Sequence, residues 1–205
     1  MNPALPSAAA GALCVALSLL IGFSLGTAPV ISADLWLIEQ AVALRADAGL
    51  WIAFTRIGDA PARIGFALVA VVLLLLVRRQ AGAAALLPLA TLIETVTTSG
   101  LKLAFARPRP ALLDHLDTVT SLSFPSGHAA HNMALWLLAA LLLAPKRGWA
   151  VAAALVVPLL VGVSRVVLGV HWPSDVLAGW LFGAGVALLA VSIQRRVGTN
   201  PPAMA

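Results

Sequence analysis

Charge is what this chain has least of. Only 10% of its 205 residues are Asp, Glu, Lys or Arg, and its mean hydropathy is +1.00. Soluble globular domains carry about 25% charged residues, so the composition excludes an ordinary soluble domain and fits a chain mostly embedded in a bilayer. Cysteine is nearly absent as well. Cys14 stands alone in the first apolar run, which excludes an intrachain disulfide and leaves it as a small apolar filler. Acidic residues are scarce, eight against thirteen basic, for a net charge of +5. The basic residues are scattered singly or in pairs, without a basic stripe interleaved with aromatics, which argues against nucleic acid as a partner. No basic segment precedes the first apolar run, and that run is long for a signal-peptide core, so it reads as a helix.

Apolar runs are what the chain has in abundance. They occupy residues 8–28, 62–77, 82–104, 129–145, 149–165 and 176–193, and about 20 residues cross a bilayer. The expected fold is therefore all-α, an integral membrane bundle of six transmembrane helices forming a single domain over residues 1–205, with its motif-bearing core at 82–193. Residues 34–45, with Leu35, Ile38 and Val42 on one face, predict an amphipathic segment at the membrane interface. Pro108, Pro110 and the polar stretch 114–123 mark a loop that cannot span. Six spans put both termini on one side. The compact basic turns Arg78-Arg79 and Lys146-Arg147, with Arg195-Arg196 in the tail, favour the cytoplasm for that side. Trp36, Trp51, Trp149, Trp172 and Trp180 read as an aromatic belt near the interfaces.

An ionisable side chain at the centre of a membrane helix costs roughly 2.5–3.5 kcal/mol or more, so those retained near helix ends read as functional. Under the six-span layout Lys102, Arg109, Ser126, Gly127, His128, Arg165, His171 and Asp175 all fall on the non-cytoplasmic face. Three cations, Lys102, Arg109 and Arg165, suffice to hold a phosphate dianion and the charge of its transition state. Ser126 and Gly127 precede a helix start, where free N–H groups bind anions. His171 can attack phosphorus as a neutral imidazole, with Asp175 fixing its tautomer, and His128 can protonate the leaving oxygen. The three cations do the neutralising, so neither a metal nor a cofactor is expected. His131 reads as packing beside this set, Asp59 as part of a turn, and Asp114, His115 and Asp117 as a solvated loop. Glu94 either pairs with a neighbouring helix or tunes the site.

These residues carry a family resemblance. Lys102 is followed after six residues by Arg109-Pro110, then come Pro125-Ser126-Gly127-His128 and Ser164-Arg165, with His171 and Asp175 at fixed spacing behind them. Arg107-Pro108 is a second Arg-Pro pair, and only the six-residue spacing selects Arg109. The pattern resembles the type 2 phosphatidic acid phosphatase superfamily. Its members include bacterial undecaprenyl-diphosphate and phosphatidylglycerophosphate phosphatases, glucose-6-phosphatase and vanadium haloperoxidases. The resemblance implies a helical core, a phosphohistidine at His171, proton donation from His128, and phosphate binding by Lys102, Arg109, Ser126, Gly127, His128 and Arg165. It points to a lipid phosphate or diphosphate as substrate, in a bacterial inner membrane with the active site on the periplasmic face. Undecaprenyl diphosphate, phosphatidic acid and phosphatidylglycerophosphate are the substrates it suggests. A lipid phosphotransferase (to lipid A, for example) would use the same motifs. A vanadate-dependent haloperoxidase and an anion transporter fit the composition or the spacing less well. Oligomeric state is not expressed in the sequence.

Overall fold

The computed structural model describes residues 8–199, which are mostly helical and contain no strand. The helices are α1 (Ala8–Ser24), α2 (Ala28–Val42), α3 (Ala48–Ile57), α4 (Ala60–Leu76), α5 (Ala81–Phe105), α6 (Gly127–Leu143), α7 (Gly148–Val167) and α8 (Pro173–Thr199), with a 3₁₀ turn (Ala43–Asp47) between α2 and α3. Proline sits in the first turn of α2, α4 and α8, where its fixed φ suits a helix start and its missing N–H is not needed.

All six expected apolar runs are helices, but they differ in reach. α5, α7 and α8 are long and apolar enough to cross a membrane; α1 with residues 28–57 adds a fourth candidate, bent by 96°. α4 and α6 have 17 residues each. At 1.5 Å per residue they rise about 26 Å, short of a hydrocarbon core of about 30 Å. The 34–45 segment differs from expectation in its facing. The buried side of α2 is Asp34, Ile38 and Ala41, while Leu35 and Val42 are 43% and 45% exposed. Asp34 is turned inward because Arg107 and Ser174 bind its carboxylate.

α6 is buried around most of its circumference and forms the centre of the bundle. Small residues let α8 close on it. A Cβ on Gly183 would collide with the Ala130 carbonyl, and one on Gly179 would lie 2.6 Å from the Ser126 carbonyl. α1 crosses the opposite side of α8 in the same way: a Cβ on Gly185 would lie 2.9 Å from the Gly11 carbonyl. Such close backbone approach is how membrane helices gain packing without a hydrophobic drive between them. Outward faces of α1, α4 and α5 present Leu20, Phe23, Leu68, Leu76, Val96 and Leu103, each more than half exposed. Trp180 lies at the contact of α8 with α7. It packs against Gly162 of α7 and donates its indole N–H to the Pro158 carbonyl at 2.9 Å.

Ala106 takes a left-handed conformation (φ 46°), closing α5 and turning the chain into loop 106–126. That loop doubles back over the bundle end through Ser123 N–H to the Arg107 carbonyl (2.9 Å) and Leu116 N–H to the Leu168 carbonyl (3.0 Å). Gly169, at φ 76°, makes the turn between α7 and α8.

Candidate active site

The last turns of α5 and α7, the first turns of α6 and α8, and loop 106–126 converge at one end of the bundle. His171 lies just before α8, 2% exposed. Its Nε2 lies 3.1 Å from an Arg109 guanidinium nitrogen, which can only donate. Its Nδ1 faces Ser123 Oγ (3.3 Å) and Asp175 Oδ2 (3.4 Å). These partners assign the proton to Nδ1 and leave the Nε2 lone pair turned toward Arg109. Burial pushes the His171 imidazole down to about 3 despite the opposing pull of Asp175, and Arg109 and Lys102 add to the depression. The ring is neutral at physiological pH.

Asp175, in the first turn of α8, is held from every side. Oδ2 accepts from Ser123 Oγ (2.5 Å) and from the Trp172 backbone N–H (3.0 Å), and Oδ1 accepts from Arg107 (2.6 Å). Its backbone carbonyl accepts the Ser126 N–H at 3.0 Å, fastening the start of α8 to the start of α6.

The cations surround this centre. Lys102 donates to the carbonyls of Leu122 (2.6 Å) and Ser123 (3.3 Å) from the last turn of α5. Arg109 lies in the loop beyond α5 and spans Ser121 and the Val170 carbonyl, which it reaches at 2.5 Å. Burial and the nearby Arg165 lower it to about 10, leaving it cationic at neutral pH. Arg165, 1% exposed, donates to Thr55 Oγ1 and to Asp117 Oδ2 (2.6 Å). Burial alone would raise the Asp117 carboxyl, but the hydrogen bond and charge of Arg165 hold it below the usual range. Asp117 is therefore an ion-pair partner and not simply part of a solvated loop. Its neighbour His115 is tied to the Pro110 carbonyl at 2.7 Å. Ser126 Oγ and Arg165 Nε are buried without a hydrogen-bond partner. Both are spare donors of the kind a phosphate oxygen accepts.

His128, in the first turn of α6, places Nε2 3.0 Å from Oδ1 of Asp59. Asp59 precedes α4 in sequence, as expected of a turn, and its carboxylate is also a ligand of Arg56 at 3.2 Å. That it faces His128 has no local signature in the sequence, because the two lie 69 residues apart. Three other partners are equally invisible in the motifs: Ser123, Asp34 and Arg107. Arg107 bonds Asp34 (2.8 Å), Ser174 (2.8 Å) and Asp175 (2.6 Å), with its guanidinium 4.9 Å from the Trp172 ring centroid. The structure thus separates the two Arg-Pro pairs, with Arg107 turned to carboxylates and Arg109 turned to His171. Glu94 proves to be a cross-helix partner, its Oε2 2.6 Å from His131 Nδ1.

A cavity of about 610 Å³ lies between α2, α7 and α8. Asp34 and Ser174 at its wall bond one another, and Arg107 bonds both.

The PAP2 superfamily model matches residues 82–198, more than half of the chain and all of its motifs. An undecaprenyl-diphosphatase of Sulfolobus acidocaldarius is 43% identical over 75 residues, 37% of this chain and 35% of that one. A decaprenylphosphoryl-5-phosphoribose phosphatase of Mycobacterium tuberculosis is 42% identical over 84 residues, 41% and 44% of the two chains. The chain thus spans less than half the length of these relatives. The crystal structure of a phosphatidylglycerolphosphate phosphatase from Bacillus subtilis shares the fold, with a TM-score of 0.80 at 24% identity over 94% of this chain and 98% of that one. The matched segment holds Lys102, Arg109, Ser126–His128, Arg165, His171 and Asp175 at the mouth of one helical bundle, and the chain belongs to the PAP2 superfamily.

Proposed function

We propose that this protein is an integral membrane lipid phosphatase that removes a terminal phosphate through a phosphohistidine. The observation that carries the reading is His171 itself: neutral, with its Nε2 lone pair turned to Arg109, the cation that would hold the phosphate, its Nδ1–H directed to Ser123 and Asp175, and Lys102 within electrostatic range. Nε2 forms the bond to phosphorus while the bond to the leaving oxygen breaks, and His128, entering the step as an imidazolium held at Nε2 by Asp59, gives its Nδ1 proton to that oxygen. Asp175 stabilises the positive charge that develops on His171. Lys102, Arg109 and Arg165, with Ser126 and the N–H groups at Gly127, stabilise the equatorial oxygens. Water then attacks phosphorus, His128 takes its proton, and phosphate leaves as His171 is released. The charge balance of this scheme is met by side chains, so it calls for no metal.

Six spans remain the favoured layout. At 17 residues α4 and α6 sit at the lower end of the spanning range, and a bilayer thins locally at modest cost. With the basic turns and both termini in the cytoplasm, the site opens at the outer face of a bacterial inner membrane, where lipid head groups meet it. The Sulfolobus acidocaldarius relative is named for a prenyl diphosphate, which favours a polyprenyl diphosphate over a glycerophospholipid phosphate.

The test is phosphate release by detergent-solubilised protein in excess EDTA, with undecaprenyl diphosphate, phosphatidic acid and phosphatidylglycerophosphate, and with His171→Ala as control. Release that survives EDTA and falls by at least about 10⁴-fold in the variant is expected. Wild-type turnover in His171→Ala would remove the nucleophile assignment. Phosphate appearing on an added lipid acceptor in place of free phosphate would make the protein a phosphotransferase.

A further inference from the structure

A second polar cluster lies one helical turn inward from the site. A cavity of about 340 Å³ opens between α4, α5 and α6, lined by Arg63, Ile64, Thr91, Glu94, His131 and Leu135. Ile64 and Leu92 at its rim are 61% and 60% exposed, so it faces the side of the bundle and not its core. The cluster tracks the catalytic groups. Arg63 follows Asp59 by four residues on α4, and His131 follows His128 by three on α6, so each side chain lies one turn, about 5–6 Å, deeper than its counterpart. His131 Nε2 would stand 3.1 Å from a Cβ on Gly127, and Arg63 lies within electrostatic range of His128. The cavity and the reacting centre are therefore adjacent, on the side where His128 would meet the leaving oxygen.

Arg63 is the unexplained member. Its Nε is buried without a hydrogen-bond partner, and its guanidinium makes no ion pair among the described residues. Glu94 lies within its electrostatic range, as does Asp59, but neither carboxylate makes a direct ion pair with it. The Glu94 carboxylate is already occupied at both oxygens, by Thr98 Oγ1 (2.7 Å) and by His131 Nδ1 (2.6 Å). Glu94 instead orients His131, whose Nδ1–H it accepts, and turns Nε2 toward Gly127. A guanidinium with an unpartnered buried Nε beside an open cleft is suited to a ligand oxyanion.

We propose that Arg63, backed by the Glu94–His131 pair, forms a leaving-group subsite that holds a second phosphate, fitting the enzyme to lipid diphosphates over lipid monophosphates. This rests on the phosphatase reading above and names the substrate class of that same site. When His171 takes the terminal phosphorus, the P–O bond to the bridging oxygen breaks and its electron pair stays on that oxygen, which becomes part of a lipid monophosphate. Arg63 stands where that negative charge develops. A monoester releases an alcohol whose oxygen takes its proton from His128, and it has no second phosphate for Arg63 to hold.

The experiment uses the full chain in detergent with two probes that differ by one phosphate, farnesyl diphosphate and farnesyl phosphate. Wild type should favour the diphosphate, and Arg63→Gln should lower the diphosphate-to-monophosphate ratio of kcat/KM by about 10–100-fold, with Arg63→Lys between them. A ratio that stays put while both rates fall would make Arg63 structural and overturn the subsite. Wild-type cleavage of the monophosphate alone would overturn it too, leaving the phosphatase reading intact; cleavage of neither would remove both. If Arg63→Gln does not yield folded protein, wild type carries the test by competition. The methylene-bridged diphosphonate of farnesol should inhibit at least about tenfold more tightly than its monophosphonate, and equal inhibition would overturn the proposal.

Discussion

Arg107 and Arg109 are two residues apart, both follow the end of α5, and both precede a proline, yet they answer different demands. Arg107 neutralises two carboxylates whose side chains are 2% and 0% exposed, those of Asp34 and Asp175. Truncating it strands those charges in the interior, and breaking a buried pair in this way costs about 3–5 kcal/mol. Arg107→Ala should therefore lower the thermal midpoint in detergent, taking activity with it. Arg109 donates to carbonyls and faces Nε2 of His171. Arg109→Lys should keep the midpoint near wild type while reducing kcat/KM for phosphate release by about tenfold or more, because an ammonium cannot reproduce the planar fork. A stable Arg107→Ala beside an unfolded Arg109→Lys would exchange the two roles. Motif spacing selects Arg109, the one of the pair that lies against His171. It said nothing of what Arg107 does, since its partners come from α2 and α8, 73 and 68 residues away.

The same limit shows at the level of elements. The six apolar runs became helices within a few residues of their expected ends, because continuous hydropathy is a local property. The facing of α2 was not legible. Its exposed Leu35 and Val42 are as apolar as its buried Ile38, and only the pull of Arg107 and Ser174 on Asp34 decides which side turns inward. Small residues carried a signal that hydropathy does not register. Gly179 and Gly183 are one turn apart on α8 and meet Ser126, Ala129 and Ala130 of α6 at backbone distance. Since Ser126 and Asp175 are joined across this crossing by the 3.0 Å N–H to carbonyl bond, helix packing and site geometry are one problem. Gly183→Leu inserts a side chain where even a Cβ has no room. Overpacking usually costs about 1–3 kcal/mol and more where backbone must move, so this variant should aggregate or lose its thermal transition on size-exclusion and melting assays. A well-folded, active Gly183→Leu would mean that α8 does not lie against α6 as described.

For the whole molecule, the deciding element is α6. It is the most enclosed helix, it begins at the end that carries the candidate site with Gly127, and at 17 residues it is among the shortest of the apolar helices. If it crosses the bilayer, loop 106–126 and the turn at Lys146-Arg147 lie on opposite sides. A bilayer pinched around the bundle would bring lipid phosphates close to Arg109 and Arg165, an arrangement that a longer α6 would weaken. Single cysteines decide the matter once Cys14 is replaced by alanine, at Leu112 (52% exposed) in the loop and at Lys146 in the turn. In intact cells a membrane-impermeant maleimide should label Leu112→Cys at once and Lys146→Cys only after lysis. The opposite pattern would invert the orientation and put catalysis on the cytoplasmic face. Labelling of both positions from outside would mean that α6 enters the bilayer without crossing it, reducing the bundle below six spans.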